Sequence, residues 1–141
     1  MSRKWISGLT ILGMAAAVIM VASVAGAQDG KKPHTIKEVM GKVNKKGSGL
    51  INVVKSDLSK GTPDWDKVQG NTKTIVEYVS DMGKNDPPKG DKAAWQKTTK
   101  EYTDHAKALD QAAKDKDLAA AKKSNGAMLK SCGGCHGAHK G

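Results

Sequence analysis

The chain has 141 residues, a formal net charge of +10, 38% hydrophobic residues, no Phe and two Cys, a length that allows one domain after an N-terminal export segment is set aside. Its basic charge comes from lysine, since Arg3 is the only arginine, and this removes planar bidentate recognition of phosphate or carboxylate. The lysines are scattered along helical faces rather than gathered with aromatics, which argues against nucleic-acid binding.

Ser2-Arg3-Lys4 forms a basic start, an uncharged run extends from Trp5 to Ala27, and Ala25-Gly26-Ala27 ends it as a small-residue cleavage site. The pattern predicts a secretory signal over residues 1–27, cleaved after Ala27, and a mature chain of residues 28–141. An uncleaved membrane anchor is the competing reading, because 23 uncharged residues are long enough to span a bilayer. Cleavage removes Arg3 and Lys4, taking the basic residues from 24 to 22 against 14 acidic ones, and the net charge from +10 to +8. That charge suits a solvated surface, or electrostatic steering toward an acidic partner.

Thr35 and Glu38 have capping-box spacing, so the first helix is expected to start at Thr35. Ile36, Val39, Met40 and Val43 repeat at helical spacing, and Leu50, Ile51, Val54 and Leu58 continue the phase. Gly47 and Gly49 interrupt the stripe, but the preserved phase predicts a helix running through them. Thr62-Pro63 marks the second start, with Thr62 as N-cap, and Trp65, Val68, Ile75, Val76, Val79 and Met82 lie on one face. Asn85–Gly90, with two prolines, forms the central loop. A third helix begins near Asp91 and turns Trp95, Thr98, Tyr102, Ala106, Leu109 and Ala113 inward. Asp115 or Asp117 caps a fourth, carrying Leu118, Ala121, Met128, Leu129, Cys132 and Cys135 inward. With no period-two segment to compete, the chain reads as all-α, an antiparallel four-helix bundle.

The inward faces are small. Beyond the signal the aromatics are Trp65, Tyr78, Trp95 and Tyr102, and much of the rest is Ala, Val and Thr. This core is underfilled and expects a large apolar body between the helices.

Cys132-Gly133-Gly134-Cys135-His136 supplies a candidate for that body. The spacing C-x-x-C-H is the attachment signature of c-type haem: the cysteines form thioethers and the adjoining histidine ligates the iron. On a helix Cys132, Cys135 and His136 share one face. A disulfide over two intervening residues closes too small a loop to staple a domain, and no βαβ pattern supports a redox C-x-x-C. A zinc site from Cys132, Cys135, His136 and His139 is the rival, but four donors within eight residues would strain a tetrahedral shell.

The C-terminal C-x-x-C-H on the last of four helices, followed by Lys140, together with Lys37-Glu38-Val39-Met40 on the first, resembles the class II c-type cytochromes, which include cytochrome c′ and its low-spin relatives. The resemblance spans the mature chain in architecture, with haem attached near the C-terminus of the last helix. The arginine-rich form of the first-helix motif is absent, with Lys37 in its place. In low-spin members the first helix offers a methionine to the distal haem face, and here Met40 stands on the inward stripe. The resemblance implies one covalent haem c, held by Cys132 and Cys135, with His136 as proximal and Met40 as distal iron ligand. Lys140 is expected to contact a propionate or the proximal side of His136, or else to be an exposed lysine. Met82 and Met128 are read as core filler, His34 as an exposed residue before the first helix, His105 as a core or boundary histidine, and His139 as facing solvent or lying over the haem edge.

The function expected from these residues is periplasmic electron transfer by a monohaem cytochrome, with redox partner proteins of acidic character and no enzymatic role. The alternatives are a five-coordinate cytochrome c′-like protein that binds nitric oxide or carbon monoxide, and a zinc-stabilised exported domain. Both monomer and homodimer are compatible with the resemblance.

Overall fold

In the computed structural model, which describes residues 30–141, the first helix starts where its capping box predicts. The Glu38 amide donates to the Thr35 hydroxyl at 3.2 Å, and the Thr35 amide donates to the Glu38 carboxylate at 2.7 Å. These bonds satisfy donors that a helix N-terminus otherwise leaves open. Helix α1 (Ile36–Val39) then widens into a π-helical turn, Met40–Asn44. The predicted signal over residues 1–27 lies outside the described residues.

The expected continuous first helix is corrected here. Lys45 leaves helical geometry with ψ 126°, Gly47 has a left-handed φ of 77°, and α2 (Leu50–Ser59) begins afresh. Preserved phase misled because the segments on both sides of the break pack on the helix that follows, Trp65–Ser80. Gly47 supplies a backbone conformation that residues with a Cβ avoid. Gly49 is needed for space: a Cβ there would stand 2.5 Å from the Val43 carbonyl oxygen and 2.6 Å from the Lys45 nitrogen. Its amide also donates to the Lys45 carbonyl at 2.7 Å. Gly49→Ala is therefore expected to cost about 1–3 kcal/mol, the usual range for forced overpacking; an unchanged urea midpoint would contradict this use of Gly49.

Helix α3 (Trp65–Ser80) starts two residues later than Thr62 suggested, because Asp64 is its N-cap and accepts the Lys67 amide at 3.2 Å. Pro63 then lies outside the helix rather than in its first turn. A short 3₁₀ turn, Met82–Lys84, leads into the central loop. Asp91 caps α4 (Lys92–Lys114), and Asp117 caps α5 (Leu118–His139), each by accepting the amide three residues on. Lys116 takes a left-handed φ of 54° in the tight turn between them.

Helix α2 packs on α3 and α5, α3 packs on α4, and α4 packs on α5. That cyclic order, with short connections, is an all-α four-helix bundle in which Lys32–Gly141 form one unit. Val39, Val43, Ile51, Val54, Leu58, Val68, Ile75, Val79, Leu109 and Met128 are fully or almost fully buried, each contributing about 1.5–3 kcal/mol as it leaves water. Buried polar links register the helices. Thr72 donates to Asp110 at 2.8 Å, Gln69 to the Ala113 carbonyl at 3.0 Å, and Asn125 to the Ile51 carbonyl at 3.1 Å. Among the described residues no helix is long and apolar enough to cross a membrane.

Candidate functional site

The underfilled core is real and lies at one end of the bundle. A cavity of about 880 Å³ opens between the π turn, α4 and α5, within the roughly 300–1,000 Å³ typical of cofactor sites. Ile36, Met40, Met82, Trp95, Tyr102, Cys132 and Cys135 contribute to its walls, with Lys37, Lys45, His136 and Lys140 exposed along it. The lining is chiefly apolar, so water gains few hydrogen bonds inside it.

Helix α5 brings the C-x-x-C-H residues to this cavity as helical spacing requires. Cys132 and Cys135 are half-buried free thiols, and the Cys132 thiol donates weakly to the Met128 carbonyl at 3.6 Å. Burial, and then the neighbouring Cys132, push the Cys135 thiol up, so it stays neutral at ordinary pH. His136 lines the cavity from its exposed side, and the Lys140 amide donates to the His136 carbonyl at 3.1 Å. Gly133, Gly134 and Gly137 have open space where a Cβ would stand. They are thus not demanded by packing, and each weakens this last stretch of helix by about 1 kcal/mol relative to alanine.

Met40 reaches the same cavity from the π turn, half-buried. Its sulfur accepts a hydrogen bond from the Asn44 amide at 3.5 Å, and the Asn44 carbonyl oxygen accepts the Tyr102 hydroxyl. Burial, followed by the nearby Cys132, raises the Tyr102 phenol far above its ordinary value. The structure thus collects all five sequence-predicted site residues, Met40, Cys132, Cys135, His136 and Lys140, around one cavity. It adds Asn44, Tyr102 and Met82, which were not singled out as site residues. Spacing of four from Met40 was the available signal for Asn44; nothing local pointed to Tyr102 as its partner.

Two histidines are less exposed than one reading of each expected, and His139 also lines the cavity. His139 does not face solvent: it is 3% exposed, stands edge-on to Trp95 with ring centroids 5.2 Å apart, and meets the Lys89 carbonyl at 3.1 Å. The returning central loop covers it, with Gly90 approaching so closely that a Cβ would lie 2.8 Å from the Ala138 carbonyl oxygen. His34 is also held rather than free, stacked on Tyr78 at 3.9 Å and paired with Asp81 at 2.8 Å. Burial alone would raise the Asp81 carboxyl, but hydrogen bonds from Lys84 and His34 outweigh it and hold it low. Met128 is fully buried core, as expected, and His105 is half-buried on α4. Among the described residues no three His, Cys, Asp or Glu side chains are grouped so as to hold a metal ion. The four donors of the zinc alternative are therefore not gathered.

A family model described as Cytochrome C' matches residues 90–140. The match supports a class II c-type cytochrome. That family implies a haem c cofactor, and the cavity fits it: apolar walls, two free thiols one helical turn apart, and an imidazole beside them. The matched region comprises α4, α5 and Lys140, and Met40 in the π turn lies outside it. Neither the curated proteins nor the solved structures give a significant match.

Proposed function

We propose that this cytochrome is an exported, periplasmic electron carrier with a single haem bound through thioethers to Cys132 and Cys135, His136 on the proximal side and Met40 on the distal side. The observation that carries the reading is that a thioether and the C-x-x-C-H residues line one apolar cavity from separate elements. Haem c, when bound, supplies a one-electron ferric–ferrous couple. The residues of the chain select what that couple does. A neutral thioether favours the ferrous state, raises the potential and closes the sixth position to outside ligands. Apolar walls disfavour added charge and exclude water, acting in the same direction. His136 and Met40, fixed on helical turns, limit rearrangement between oxidation states.

Lys37, Lys45 and Lys140 are exposed along the cavity. They are available to the haem propionates and give the same end of the molecule a positive edge for an acidic redox partner. The chemistry needs no acid–base residue, and the reading is of a carrier rather than an enzyme.

The absorption spectrum of the holoprotein tests this directly. Sharp low-spin ferrous bands and a methionine–iron charge-transfer band in the ferric form are expected. A high-spin spectrum that shifts readily under carbon monoxide would replace electron transfer by the gas-binding alternative.

A further inference from the structure

We propose that Asn44 and Tyr102 form a hydrogen-bond relay that fixes which sulfur lone pair Met40 presents to the cavity and weakens that sulfur as a donor. The inference rests on the reading of Met40 as the distal ligand and adds two positioning residues to it. The relay is continuous: the Tyr102 hydroxyl donates to the Asn44 carbonyl oxygen, and the Asn44 amide donates to the Met40 sulfur at 3.5 Å. All three side chains line the cavity.

The chemistry fixes the direction of each bond. A thioether sulfur carries no proton, so only the amide nitrogen of Asn44 can face it favourably. The Asn44 oxygen then points to Tyr102 and requires a donor, which the phenol provides. Tyr102 is 7% exposed, and burial keeps the phenol protonated. The relay therefore holds one polarity across the working pH range.

The backbone explains why Asn44 is in reach. Met40 and Asn44 open and close the π-helical turn, a widened geometry that recurs at functional sites. Lys45 leaves the helix immediately afterwards, and the Gly49 amide and the Asn52 side chain anchor its carbonyl at 2.7 and 3.3 Å. The turn is thus pinned at its end, and Asn44 with it.

A thioether has two lone pairs. With one engaged by the Asn44 amide, the sulfur presents the other to the cavity in a single configuration. The hydrogen bond also draws electron density from sulfur, which disfavours ferric iron more than ferrous iron. Asn44 and Tyr102 accordingly raise the potential beyond what methionine alone would set.

The test compares holoprotein of the parent chain with Asn44→Leu and Tyr102→Phe, reading midpoint potential, the charge-transfer band and the Met40 methyl resonance. Asn44→Leu should favour the ferric form by up to about fivefold at fixed ambient potential, the limit set by one hydrogen bond of ordinary net strength. It should also shift the band and broaden or double the methyl resonance as two sulfur configurations exchange. Tyr102→Phe should move the same readouts in the same direction by less, and it serves if Asn44→Leu does not fold. A parent chain with the charge-transfer band whose potential, band and methyl resonance are untouched by these substitutions would overturn the relay and leave methionine ligation standing. A parent chain without the band would overturn both.

Discussion

Replacing Met40 with alanine is expected to convert the haem from low-spin to high-spin and to let carbon monoxide bind readily. The methionine is half-buried on a turn at the cavity wall, so its loss should cost the fold no more than about 2 kcal/mol, the lower end for buried methionine to alanine. The effect on the iron should be much larger. Removing a thioether removes the ligand that favours ferrous iron, and the potential should fall within the roughly 0.8 V range over which axial ligands set haem potentials. Loss of the charge-transfer band with a retained thermal transition would separate ligation from packing. An unchanged spectrum would instead point to Met82, the second thioether on the cavity wall. His34 is a poorer substitute because Asp81 and Tyr78 already hold its ring.

Chemically prepared apoprotein is expected to lose its sharp thermal transition while keeping much of its helical signal. An empty cavity of about 880 Å³ leaves its apolar walls without packing partners at one end of a domain held together by only about 5–15 kcal/mol. Water entering from the open side or collapse of the walls would fill the space, yet both give up native packing. Gly133, Gly134 and Gly137 weaken the end of α5 as a helix, so the proposed attachment at Cys132 and Cys135 would matter most there. Differential scanning calorimetry should show a broad, weakened transition, accompanied by binding of a hydrophobic dye. A sharp, cooperative transition in the apoprotein would show that the four helices complete their own core and would overturn this account.

The two predictions draw on different parts of what was legible in the chain. Asp91 and Asp117 could be read as helix starts because capping is local: each side chain accepts an amide three residues away. The same locality placed Cys132, Cys135 and His136 on one helical face. Asp64 displaced Thr62 because its own carboxylate accepts the Lys67 amide three residues on, a bond just as local. Gly49 was harder still. Its importance depends on a close approach to Val43 and Lys45, which helical phase does not encode. The solvent-facing alternative for His139 failed for a similar reason, since Lys89 and Gly90 return to bury it from about fifty residues away.

By itself, the amino-acid sequence determined the helical class, most helix starts, the thin core and the C-x-x-C-H residues, because periodicity, capping and motif spacing are properties of neighbouring residues. Only the tertiary structure decided that Met40 shares a cavity with that motif and that its sulfur is held through Asn44 by Tyr102. The Tyr102–Asn44 bond alone joins residues 58 positions apart, and these arrangements exist only once the π turn, α4 and α5 have packed around a common space.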